Sequence, residues 1–130
     1  MWQLSAERGH LEALKKLWEL AKENLTIEEI NKLLLGTDNA GMTAWHVAAA
    51  RGHLESLQKL WECAKENLTI EEINNKLLLG TENTGRTVWH LAAFNGHLET
   101  LNKIWEWAKK NLTIEEINNK LLLGTDRGSI

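Results

Sequence analysis

Apolar residues recur at intervals of three and four along much of this chain. In one run Leu54, Leu57, Leu60, Trp61 and Ala64 line a single stripe of an amphipathic helix from about Leu54 to Asn67. Glu55 and Lys59 stand one turn apart on its wet face. Upstream, the pattern predicts a short helix from Ala44 to Arg51, with Trp45, Ala48 and Ala49 as its apolar side. Thr43 suits the N-cap, where a hydroxyl accepts from the free amides of the first turn. Gly52 suits the end, where glycine takes the left-handed conformation without steric cost. Downstream, Thr69 and Glu72 have the spacing of a capping box, and Leu68 can staple against Ile73. A third, short helix is therefore expected from Ile70, with Ile70, Ile73 and Leu77 on its buried side. Gly80 to Gly85 then form a turn-rich finger ahead of the next cap, Thr87.

This pattern is copied. Asn-Leu-Thr-Ile-Glu-Glu-Ile-Asn begins at Asn24, Asn67 and Asn111, and Gly-His-Leu-Glu begins at Gly9, Gly52 and Gly96, at spacings of 43 and then 44 residues. A fixed period in this range is the mark of a solenoid. The chain reads as one domain, residues 1–130, in three units of about residues 1–43, 44–87 and 88–130. The shorter spacing comes from one missing asparagine. The first copy has Asn31-Lys32, where the others have Asn74-Asn75-Lys76 and Asn118-Asn119-Lys120. On a helix the loss rotates every later residue by about 100°. The triplet Leu33-Leu34-Leu35 can absorb that, since another leucine arrives at the buried angle.

Composition fits this picture and narrows the function. Seven tryptophans with no tyrosine and no proline are the skew expected when one short unit is copied. A net charge of -3 offers nucleic acid no basic surface. No apolar run approaches the roughly 20 residues of a membrane span. The first ten residues show no secretory signal. The single cysteine, Cys63, makes no internal disulfide, and a reducing, cytoplasmic compartment is the expectation.

Thr43-Ala44-Trp45-His46-Val47-Ala48-Ala49 and Thr87-Val88-Trp89-His90-Leu91-Ala92-Ala93 resemble the Thr-Pro-Leu-His-x-Ala signature of ankyrin repeats. The Gly-His-Leu-Glu downstream fits the family pattern, as do Asp38-Asn39-Ala40-Gly41 and Glu82-Asn83-Thr84-Gly85. Ala44 and Val88 replace the proline, tryptophan replaces the leucine, and about eleven extra residues carry the third helix. The chain is thus similar to a lengthened ankyrin variant of the kind found in large invertebrate arrays. The resemblance implies an all-α solenoid of L-shaped units, each with two antiparallel helices and a β-turn finger at right angles. It implies a structural role for His46 and His90, whose imidazoles bond the cap threonines Thr43 and Thr87 and a neighbouring backbone group. Trp45 and Trp89 are expected to be structural as well.

The same resemblance implies protein binding on the concave face made by finger tips and first helices. The positions it marks are Asn39, Ala40, Met42, Ala50 and Arg51, then Asn83, Thr84, Arg86, Phe94 and Asn95. Phe94 stands out, because a large apolar side chain facing solvent can anchor a partner; packing against the neighbouring helix is its other reading. The competing function is structural: a segment of a long array, or an engineered near-consensus unit, with no specific partner.

Chemistry finds little support. Five histidines on a regular ladder do not converge as zinc ligands would, so no metal or cofactor is expected. His10, His53 and His97 are expected to cap or position the second helices. Cys63 takes the place of Leu20 and Trp107 in the other copies and reads as packing. The Asn-Leu-Thr sequons spend their threonine on a helix cap. Glu28-Glu29 and its copies sit where the helix dipole favours acids, not as an acid–base pair. The ladders Trp2, Trp45, Trp89 and Trp18, Trp61, Trp105 are expected to stack between neighbouring units. No enzyme is indicated. Apolar faces at both ends predict weak head-to-tail self-association, with Gly128-Ser129-Ile130 then Met1-Trp2 imitating Gly41 to Trp45.

Overall fold

The structure, a computed structural model, describes residues 1–124. Among these the helices come in three sets of three. The first is α1 (Trp2–Arg8), α2 (Leu11–Asn24) and α3 (Ile27–Leu35). The second is α4 (Ala44–Ala50), α5 (Leu54–Asn67) and α6 (Ile70–Glu72), the last continued by a π-helical stretch, Ile73–Leu78. The third is α7 (Val88–Phe94), α8 (Leu98–Asn111) and α9 (Ile114–Glu116), continued likewise over Ile117–Leu122. First helices pack on first helices, α1 on α4 and α4 on α7, and each first helix packs on its own second helix. The added third helix is a wedge: α3 touches α4 and α5 of the next set, and the π-helical stretch after α6 touches α7 and α8. The fold is an all-helical solenoid.

Local chemistry explains the starts and stops. Thr26, Thr69 and Thr113 each accept from the amide of the glutamate three residues on, and each glutamate accepts from the threonine amide in return. Both orphan donors at those helix starts are thereby satisfied. Gly9, Gly52 and Gly96 lie at φ of 69°, 72° and 74°, beyond the ends of the first helices. The turns ahead of α4 and α7 are closed by Gly41 N donating to Asp38 O and Gly85 N donating to Glu82 O, both at 2.9 Å.

The extra asparagine is taken up by a change of helix type. Leu79 N donates to Asn74 O at 2.9 Å and Leu123 N to Asn118 O at 2.8 Å, five residues back. A π turn holds one more residue than an α turn. In α3, which lacks that asparagine, Gly36 N donates four residues back to Lys32 O at 2.7 Å. Leu34 comes four residues after Ile30 and is buried, as Leu77 is after Ile73; the π turn brings Leu78 into the core as well. The rotation expected from the missing residue is therefore confined to one turn.

Two packing expectations need correction. Ile70 is not on the buried side: at the first position of its helix it stands outside the joint, 71% exposed, and Ile27 and Ile114 do the same. The tryptophan ladders do not stack between units but pair inside them, Trp2 with Trp18, Trp45 with Trp61 and Trp89 with Trp105, at 5.5–5.9 Å between centroids. The ring that does cross between units is Trp107, 5.4 Å from Trp45 and 4.7 Å from Trp61. First and second helices face each other within a unit, so their tryptophans meet there first. Trp89 and Trp105 are half-buried, whereas Trp45 and Trp61 are buried.

Candidate protein-recognition surface

The scaffold of the surface is a lock at the head of each first helix. Thr43 N and Oγ1 lie 3.3 Å and 2.9 Å from His46 Nδ1, and His46 Nε2 lies 3.1 Å from Gly80 O. With Thr43 N donating to Nδ1, that nitrogen accepts and Nε2–H is the donor to Gly80 O. His90 repeats this with Thr87 and Gly124, at 2.8 Å and 3.0 Å. Burial pushes the His46 pKa down; the bond to Gly80 O and the carboxylates of Glu82 and Asp38 oppose it but do not reverse it. The neutral ring ties the start of α4 to the end of the third helix of the same unit. In the first unit Gln3 stands in this place, and its Nε2 donates to Gly36 O at 3.0 Å and Met42 O at 3.1 Å. An amide thus reproduces the imidazole's donor.

His53 and His97 do not cap the second helices through their side chains, and neither does His10. His53 and His97 turn toward the preceding unit instead. A Cβ on Gly9 would lie 2.6 Å from His53 Nδ1, and His97 Nε2 bonds Ala50 O at 3.0 Å. Gly9 and Gly52 are required both for their positive φ and for the ring that lies on each.

The two turns are bolted together. Asn83 N donates to Ala40 O at 2.9 Å and Asn83 Nδ2 to Asn39 O at 2.8 Å. Below the second tip, Glu82 is buried and its Oε1 accepts from Thr84 N, Thr84 Oγ1 and Arg86 N. Burial alone would raise the Glu82 pKa; these bonds and the Arg86 charge outweigh it and hold the carboxyl below its ordinary range. Arg86 is pinned in turn. Its Nε donates to Thr84 Oγ1 at 2.9 Å, its Nη2 lies 3.5 Å from Glu82 Oε2, and its Cζ lies 5.4 Å from the centre of the Phe94 ring. Phe94 is 74% exposed.

The marked positions thus divide into two groups. Thr84, Arg86 and Phe94 converge as one polar and aromatic patch, and Asn83 sits beside Thr84 at the tip. Phe94 is largely exposed among the described residues. The remaining positions also make contacts within the chain. Asn39 and Ala40 are exposed but give their carbonyls to Asn83. Met42 and Ala50 are half-buried, Arg51 pairs with Glu7 at 2.9 Å, and Asn95 Nδ2 donates to Leu91 O at 2.9 Å. Leu98 is exposed as well, whereas its copies Leu11 and Leu54 are half-buried.

Burial pushes the Cys63 thiol up to about 12, far from a thiolate at neutral pH. Among the described residues no three His, Cys, Asp or Glu side chains gather as metal ligands, and no helix is long and apolar enough to cross a membrane.

Comparison with known proteins supplies the family. The family model described as "Ankyrin repeats (3 copies)" matches residues 2–115. No curated protein matches the sequence. Among solved structures, the chain is similar to a chain in the crystal structure of the yeast ribosomal protein Rps3 in complex with its chaperone Yar1. The TM-score is 0.68 and the identity 25%, over 81% of this chain. The match spans 66% of the length of that chain. With the family model aligned from α1 into α9, the chain belongs to the ankyrin-repeat family.

Proposed function

We propose that this chain is a non-enzymatic module that binds a partner protein through the turn tips and first helices, with Phe94 and Arg86 at the centre of the contact. One observation carries the reading: a phenylalanine left 74% exposed under a guanidinium that Thr84 and Glu82 hold in place. An aromatic ring and an arginine, both pre-positioned, lose little entropy on binding and are favoured binding hot spots. Ankyrin repeats are generally protein-interaction modules, and the similar solved chain belongs to a complex of a protein with its chaperone. The test is affinity for a captured partner. Phe94→Ala and Arg86→Ala should each weaken binding at least tenfold, with circular dichroism and melting temperature unchanged. A partner indifferent to both substitutions would move the binding face elsewhere.

A second reading, weak end-to-end association, has its own support. A cavity of about 680 Å³ opens beside Trp2, Leu17, Leu20 and Leu33 on the first unit. Leu20 is 42% exposed, whereas its copy Trp107 is buried against the preceding unit. A second copy of the chain would cover it as α8 is covered by α5. The complementary half expected from the sequence, Thr125 to Ile130, lies outside the described residues. Light scattering that reports a monomer at millimolar protein would remove this reading.

A further inference from the structure

Where a repeat is copied almost unchanged, the positions that differ at a joint are informative. Between α2 and α5 the joint is closed by Cys63, fully buried, and by an ion pair between Lys22 Nζ and Glu66 Oε2 at 3.8 Å. Between α5 and α8 both positions change. Trp107 stands where Cys63 does, and Lys110 stands where Glu66 does. Lys65, the copy of Lys22, now shares a groove with another lysine instead of a glutamate. An attraction across one joint has become a juxtaposition of like charges across the next. Among the described residues neither Lys65 nor Lys110 has a carboxylate within salt-bridge distance.

The groove between them has a volume of about 320 Å³. Its base is Trp61 and Trp107, stacked at 4.7 Å and 15°. Leu68 and Ile73 form a wall, and Ile70 stands exposed at the open edge. Lys103 Nζ lies 5.6 Å from the centre of the Trp107 ring, but its charge is already paired with Glu106 at 3.8 Å. The space is at the small end of the roughly 300–1,000 Å³ of ligand sites, enough for one or two side chains. An apolar floor asks for an apolar side chain, and two lysines lining one groove ask for a carboxylate between them. A bridging anion turns their repulsion into two attractions, so the site penalises neutral ligands as well as rewarding acidic ones. Extended polyanions fit poorly, because the same helix carries Glu62 and Glu66 and the chain is net negative.

We propose that this groove between the second and third units is a recognition site for an acidic segment of a partner protein. The segment would insert a leucine or phenylalanine side chain over Trp61 and Trp107 and set a neighbouring Asp or Glu carboxylate between Lys65 and Lys110. The site shares no residue with the Arg86–Phe94 patch and stands independently of it. The test is a titration of the full chain with acetyl-Glu-Leu-Phe-Glu-amide, read by tryptophan fluorescence, beside the same peptide with glutamine for glutamate. The acidic peptide should give a saturable change that high salt weakens. The glutamine peptide should bind at least tenfold more weakly. Lys110→Glu, which rebuilds the ion pair of the first joint, should lower affinity for the acidic peptide at least tenfold in a folded protein; should that variant fail to fold, Lys65→Gln should give the same loss. Phe94→Ala should leave the titration unchanged. The proposal is overturned by no saturable change up to millimolar peptide. It is equally overturned by equal binding of both peptides, by lysine variants that bind as well as the parent, or by loss in Phe94→Ala.

Discussion

The two joints of this solenoid join nearly identical units and are held together differently. The first joint is closed by contact: α5 lies close on α2, Cys63 is small enough to vanish between them, and Lys22 and Glu66 meet at the rim. In the second, α8 lies less close on α5, and an indole fills the gap. Trp107 touches Trp45 and Trp61 together, so one side chain joins the first and second helices of the preceding unit. The lesson concerns how repeats tolerate drift. A joint survives a change of side-chain volume if the helices shift to suit, and the shift leaves a groove.

The largest expected effect comes from removing that wedge. Trp107→Ala should cost about 3–5 kcal/mol, the loss usual for a buried tryptophan, because α8 is too far from α5 to collapse onto it. Cys63→Ala at the copy position should cost roughly 1 kcal/mol, near the loss of one buried methylene-sized group. Urea unfolding of both variants measures the difference. Equal losses would mean that the two joints are equivalent despite their different fillings.

Much of this was legible in the chain and some was not, for reasons that lie in particular residues. The three capping boxes were readable because their donors and acceptors are three residues apart, within one turn. The stripe of Leu57, Leu60, Trp61 and Ala64 was readable for the same reason of local period, and all four are buried. Ile70 obeys that period and is nevertheless exposed, since period tells which side of a helix a residue takes but not where the helix overhangs its neighbour. The π turns of the second and third units were written as an extra asparagine, but sequence alone does not choose between rotating a helix and widening it. At the candidate surface, Phe94 and Arg86 were visible separately. Their stacking was not, because it depends on how the turn carrying Arg86 folds over the end of α7. The pairing of Trp107 with two earlier rings, and the placing of Lys65 and Lys110 on one groove, depend on the distance between units, which no single unit encodes.

A middle-sized effect distinguishes the units that these joints connect. The first unit carries Gln3 where the second carries His46, and both donate to a glycine carbonyl at the end of the third helix. Only the histidine titrates. Its folded pKa is held below the ordinary 6.5 by burial, so the unfolded chain takes up the proton first as pH falls. The stability that neutral His46 contributes is therefore complete above about 6.5 and is lost progressively as pH drops below it, by at most about 1.4 kcal/mol per pH unit. His46→Gln should keep the bond to Gly80 O, cost little at pH 8 and flatten the acid side of the stability profile. Thermal melts between pH 8 and 5 measure this, and a variant as acid-sensitive as the parent would assign the loss to another group.

The smallest effect is at the rim of the first joint. Lys22 and Glu66 are each about half exposed, with side-chain exposures of 47% and 48%, and their 3.8 Å contact is long. Water and salt screen such a pair, and its expected worth is about 0.2–1 kcal/mol. Glu66→Lys, which copies the second joint's charges onto the first, removes this attraction and adds a repulsion of similar size. It should lower stability by about 1 kcal/mol at most in dilute buffer, and by less in high salt, as exposed charges separated by more than a screening length no longer interact. A double-mutant cycle with Lys22→Ala isolates the pair: the coupling energy should fall as salt rises. The comparison with the second joint is sharpest here. There the like pair already exists, so adding salt to the parent chain should stabilise the second joint while it weakens the first, and the two shifts should partly cancel. Lys110→Glu changes this balance by giving both joints the same attractive pair. The stability of that variant should then fall with salt more steeply than the parent's, and a parent and variant with the same salt slope would show that Lys65 and Lys110 do not face each other.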